Sequence, residues 1–200
     1  MTRDQSLDAL LATARAEFLG YGFDGTDVNR IARRSGMAPS SFYRWFKDKT
    51  DVFVAVYRRW EDEEQQAMRR LMARDGSLAA LVEACIEQYR GHTLFRRSLR
   101  HVGHEDARVR QALALSRLER LASLKLWMGE PLASDADLAV DILLFEGLAI
   151  MLAEADLGEM GLDDEAARRQ LGVILARWRT RPVRAANDLV AESRRGAGPT

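Results

Sequence analysis

Six cationic side chains crowd into the twenty residues from Arg30 to Lys49: Arg30, Arg33, Arg34, Arg44, Lys47 and Lys49, with Asp48 the only acid among them. The 200-residue chain as a whole is electrically balanced, with 30 basic and 30 acidic residues, so the remainder carries a surplus of five acids. A short basic segment on an otherwise acidic chain is a local footprint for phosphate, not the signature of a general polyanion binder. A merely solvated charged face is the competing reading. Other chemistries find less support. Cys85 is the only cysteine, which leaves neither an intrachain disulfide nor a thiolate metal cluster and suits a reducing cytoplasm. His101, His104 and Glu105 lie close together with His92 nearby, but Gly103 is expected to interrupt the helix that would align them, so no metal site is expected. No Ser-His-Asp arrangement, glycine-rich phosphate loop or HExxH pattern occurs, and neither catalysis nor a cofactor is expected.

The elements that must carry the basic segment are helical. Only four prolines occur, Ala, Leu, Arg and Glu dominate long stretches, and strand-like alternation is nowhere sustained; the fold class read from the sequence is all-α. Leu7, Leu10, Leu11, Ala14 and Phe18 form one apolar stripe, ending at Gly20-Tyr21-Gly22. Thr26 suits the N-cap of a second short helix that turns Val28, Ile31 and Ala32 inward and stops at Gly36. Pro39 opens a third helix reaching about Phe46, and Asp48 with Asp51 caps a fourth, whose inward stripe is Val52, Phe53, Val56, Tyr57 and Trp60. Two short helices around a glycine turn have the geometry of a helix-turn-helix. In the second of them Phe42 and Phe46 face the support, leaving Ser40, Ser41, Tyr43, Arg44 and Trp45 outward. Further helices are expected at about 77–90, 93–101, 106–128, 134–156 and 163–180.

The stretch from Thr26 to Lys49 resembles the signature of the TetR/AcrR family of transcriptional regulators. Thr26, the Ile31-Ala32 pair, Gly36, Tyr43, Phe46 and Lys49 all sit in its register, and the likeness extends over roughly residues 7–57. The resemblance implies that Tyr43 and Lys49 contact the DNA backbone, Thr26 beside them, while Ser40, Ser41, Arg44 and Trp45 face the groove. On that footing Arg44 can read guanine O6 and N7, Asn29 can pair with adenine N6 and N7, and Arg33 or Arg34 can clamp a phosphate. For Trp45, packing on the scaffold is the competing expectation. Ala38 departs from the family, standing where a serine or threonine usually caps the recognition helix.

The domain division expected is a helix-turn-helix domain over 1–50, a helical effector-binding and dimerisation domain over 51–180, and a flexible tail over 181–200. The Leu138–Ala155 stretch is apolar nearly all round yet carries Asp141, Glu146 and Glu154, which suits a buried helix and not a membrane span. One side of it would meet its own core and the other a second subunit. Ile142, Phe145, Leu148 and Leu152, with Leu171, Ile174 and Trp178 from the last helix, are the expected homodimer interface, as the resemblance also implies. Cys85, Tyr89, Leu94, Phe95, Trp127 and Glu146 are the expected walls of an effector pocket, Glu146 facing a cationic ligand or an arginine across the dimer. The reading is thus a cytoplasmic repressor on double-stranded, palindromic operator DNA, released by a small-molecule effector. The alternative is a factor of the same fold without such an effector, regulated by protein contacts.

Overall fold

The structure, a computed structural model, describes residues 3–129 and 134–179. The tail expected over 181–200 and the break expected at Glu130-Pro131 lie outside these residues. Among them every regular element is a helix. In chain order these are α1 (Arg3–Tyr21), α2 (Val28–Arg34), α3 (Pro39–Phe42), α4 (Lys49–Met72), α5 (Leu78–Arg90), α6 (Thr93–Glu105), α7 (Ala107–Met128), α8 (Asp135–Glu154), α9 (Asp156–Glu159) and α10 (Glu165–Arg179). None of them is long and apolar enough to cross a membrane. The helices form two compact units, one from the residues up to Met68 with Glu87–Arg117, the other from Arg69–Ile86 with the described residues from Leu118 onward.

In the first unit the α1 stripe of Leu10, Ala14 and Phe18 closes on Ile31, Ala32 and Phe42, and on Val52, Phe53, Val56, Tyr57 and Trp60 of α4. Phe95, Leu99 and Val102 of α6 and Val109 and Ala112 of α7 complete this core. Edge-to-face ring contacts concentrate the packing: Phe53 lies 4.9 Å from Phe18 and 5.3 Å from Phe95, and Trp60 lies 5.2 Å from Phe95. Helix α1 ends where Gly22, at φ +70°, donates its N–H to the Phe18 carbonyl; the glycine also lets Ser98 of α6 approach and accept the Phe23 N–H at 3.0 Å. Gly103 does not interrupt α6 as expected. The helix runs through it to Glu105, and a Cβ there would come within 2.9 Å of Leu113, so the glycine serves close packing and not a break.

In the second unit α8 and α10 pack together, burying Leu138, Ile142, Phe145, Ala149 and Leu152 from one and Ala167, Leu171, Ile174, Leu175 and Trp178 from the other. Phe145 and Trp178 rings lie 5.1 Å apart, and Arg177 donates to Asp141 at 2.8 Å. This changes the picture of the expected interface. Ile142, Phe145, Leu152, Leu171, Ile174 and Trp178 are buried within their own chain, and only Leu148 is half-exposed. The open face of α8 carries Val140, Leu143 and Leu144 instead, each at least half exposed. One apolar helix face is consumed internally, and its opposite face is left.

Candidate nucleic-acid interface

The turn that separates the two short helices is built by local rules. Helix α2 is capped by Asp27, which accepts the Arg30 N–H at 2.8 Å, and not by Thr26 as expected. The Thr26 hydroxyl is buried and donates to Glu17 Oε2 at 3.0 Å, so it is unavailable both as a cap and as an outward-facing donor. At the far end Gly36 takes φ +75°. Its N–H bonds to the Arg33 carbonyl and the Met37 N–H to that of Ala32, a paired closure that stops the helix within one residue. Ala38 offers no side-chain cap to α3, and Pro39 fills the first helical position. The α-helical part of α3 ends at Phe42, four residues earlier than expected. Arg44 N–H to Ser41 O and Trp45 N–H to Phe42 O then tighten the chain into i→i+3 turns through Trp45, and the Phe46 N–H returns to the Phe42 carbonyl at 3.2 Å.

This short helix is pinned from below by Phe42, wholly buried, with Phe46 5.7 Å away and half-buried. Above it Ser40, Tyr43 and Arg44 are exposed, Tyr43 to 60%, and Ser41 is half-buried. On α2, Asn29, Arg33 and Arg34 are exposed. Trp45 is half-buried against the core, the scaffold alternative considered for it. Lys49 is turned inward: its ammonium donates to the carbonyls of Phe23 at 2.9 Å and Thr26 at 3.3 Å and sits 4.0 Å from the Phe23 ring centre. It ties the α1–α2 loop to the start of α4. That start is fixed reciprocally, Asp48 accepting the Asp51 N–H at 2.8 Å while Asp51 accepts the Lys47 N–H at 3.0 Å.

Glu17 is a buried member of this motif that was not among the expected site residues. It lies on the buried face of α1 beside Ala14 and Phe18 and accepts from Thr26, from Arg30 Nε at 2.6 Å and from Arg34. A charged residue seven positions after Leu10, in step with the apolar stripe, was the available signal.

The residues expected to wall an effector pocket do not act alike. Phe95 belongs to the first unit's core, Tyr89 packs under the Arg96 guanidinium at 3.7 Å, and Leu94 is exposed. In the second unit Cys85 is buried, which pushes its thiol up to about 12, and Trp127 donates to the Trp178 carbonyl at 3.2 Å. Glu146 meets Arg120 of its own chain at 2.5 Å. A cleft of about 220 Å³ in that unit is lined by Met151, Leu157, Leu162 and Asp164 among others, and by none of the six. His101 lies 3.8 Å from Asp24 and from Glu105, and the described residues hold no group of three metal-ligating side chains.

Residues 10–56 match the model of the family described as bacterial regulatory proteins, tetR family. No curated protein matches the chain. Among solved structures, a Mesorhizobium loti protein assigned as a TetR-family transcriptional regulator shares 18% identity with a TM-score of 0.61, over 89% of this chain and 97% of that one. Salmonella enterica GusR shares 18% with a TM-score of 0.59, over 88% and 96%. The Bacillus subtilis transcriptional regulator FadR, solved with stearoyl-CoA, shares 15% with a TM-score of 0.56, over 84% and 97%. At such identities the likeness is one of fold. Residues 10–56 thus carry a segment similar to the tetR family's N-terminal model, on an all-helical fold shared with these structures.

Proposed function

We propose that the chain is a DNA-binding transcriptional regulator, a homodimeric repressor of a near-palindromic operator in the cytoplasm, released by a small-molecule effector. The observation that carries the DNA reading is the exposed edge formed by Asn29, Arg33, Ser40, Tyr43 and Arg44 around the Gly36 turn, held up by Phe42. Hydroxyls and cations beside an open helix start suit phosphate oxygens, and Arg44 and Asn29 have the donor and acceptor sets that read base edges. Lys49 and Thr26 then support the motif from within, and the phosphate contacts fall to Tyr43, Ser40, Ser41 and the α2 arginines. Two copies joined across the Val140, Leu143 and Leu144 face of α8 would form the two-fold dimer that a near-palindromic operator calls for.

Effector release is the regulatory mode we assign, supported by the stearoyl-CoA bound to FadR, a protein of similar fold. The engagement of Glu146 by Arg120 and the burial of Cys85, Tyr89 and Phe95 favour a second reading, in which protein contacts do the regulating. Genomic footprinting in the source cell tests the main reading. The expected result is a set of protected sites sharing a near-palindrome, with the adjacent genes giving compounds to assay for release. Protection without a shared sequence, or none at all, would overturn it.

A further inference from the structure

We infer that Glu17 is a positioning residue for DNA binding, a buried carboxylate that holds the guanidiniums of Arg30 and Arg34 as paired clamps for duplex phosphate oxygens; the inference rests on the DNA-binding reading above. Glu17 is among the most enclosed side chains of the first unit, with its side chain 1% exposed. A carboxylate is costly to bury, and an apolar residue at that step of the α1 stripe would pack at no such cost. One arginine would suffice to neutralise it. Two are present, four residues apart on α2, together with the Thr26 hydroxyl. Arg30 binds through Nε and Arg34 through Nη1, so each guanidinium is seized by one corner and keeps further N–H groups. Their side chains remain 34% and 54% exposed. Arg30 is fixed a second time, its guanidinium lying 4.0 Å from the centre of the Tyr21 ring.

The arrangement carries one net positive charge and has already given up the side-chain freedom that two long arginines would otherwise lose on binding. It sits on the first helix of the helix-turn-helix, the one that crosses the DNA backbone in this motif. Backbone phosphates, not base edges, are therefore the ligand.

The sign of one substitution separates positioning from plain electrostatics. Glu17→Gln removes a negative charge near the DNA surface, so charge alone would tighten binding and steepen its salt dependence. Loss of positioning does the reverse. The duplex to use is one that the wild-type protein enriches from a random-sequence library, with Kd followed across a salt series. The expected result is that folded Glu17→Gln binds more weakly, by about fivefold at 0.15 M salt for each clamp released, with a slope shallower by about 0.9 per lost phosphate contact in each subunit. Tighter binding, or an unchanged slope accompanied only by a lower Tm, overturns the inference. Should Glu17→Gln fail to fold, Arg30→Ala and Arg34→Ala decide, each expected to lower the slope, with unchanged slopes in both overturning it. A wild-type protein that enriches no duplex removes the DNA-binding reading and the clamp together. A binding wild type with unaffected variants removes the clamp alone.

Discussion

Arg44 and Arg30 carry the same charge in the same motif but are held very differently. Arg30 is anchored by a carboxylate and a ring, whereas Arg44 stands exposed on the turn that continues α3, where a side chain can adjust to a base edge. Arg44→Ala should therefore relax preference at one operator position, at a cost of about 1–3 kcal/mol for the preferred base, read by binding to operators varied one position at a time. An unchanged base profile would remove Arg44 from readout. Away from α2 and α3, Asp106 links α6 to α7. The Arg108 side chain, helped by the Arg108 main-chain N–H, lowers its carboxyl to about 2 against the desolvation that opposes it. A carboxyl held below its usual value of 3.8 contributes stability that is complete above that value and fades as pH falls toward 2. The Tm advantage of wild type over Asp106→Asn should accordingly be present at pH 5 and shrink between pH 4 and 2. A constant gap would contradict it.

At the scale of the element, the turn is the most demanding feature. Gly36 has open space around it but a left-handed backbone, so Gly36→Ala tests conformation without a clash. It should destabilise the protein by about 1–2 kcal/mol in chemical denaturation; no loss would mean that the turn relaxes freely. Such punctuation was legible in the sequence because it is local: Gly22, Gly36, Pro39 and the Asp48–Asp51 pair end or start helices where their chemistry requires. What was illegible depended on distant partners. Thr26 and Asp27 are both good caps, and the choice fell to Asp27 because Glu17, nine residues earlier, had captured the Thr26 hydroxyl. Lys49 has the charge of a phosphate ligand, but two loop carbonyls lie within its reach. Gly103 breaks a helix by propensity and packs one against Leu113 in fact. The exposed face of α3 was readable from its pattern; the side-chain partners beneath it were not.

For the whole molecule, an apolar pattern told how much of α8 is buried but not by what. Of the two apolar sides expected of α8, α10 covers one, and the residues on it could not be assigned without knowing which face α10 takes. Leu144 lies on the side left open, so Leu144→Glu should leave helix content intact and shift the protein to monomers in light scattering. Dimers that survive the charge would place the interface elsewhere.

The completion of the first unit's core by Phe95, Leu99, Val102, Val109 and Ala112 has a practical corollary for protein engineering. An N-terminal fragment ending at residue 68 would leave Phe53 and Trp60 without the Phe95 ring that packs on both, and one ending at residue 50 would lose Phe53 from beside Phe18; either would aggregate instead of binding. Exchange of specificity between relatives would thus succeed only as a split transplant, with the segment 87–117 travelling alongside the N-terminal helices.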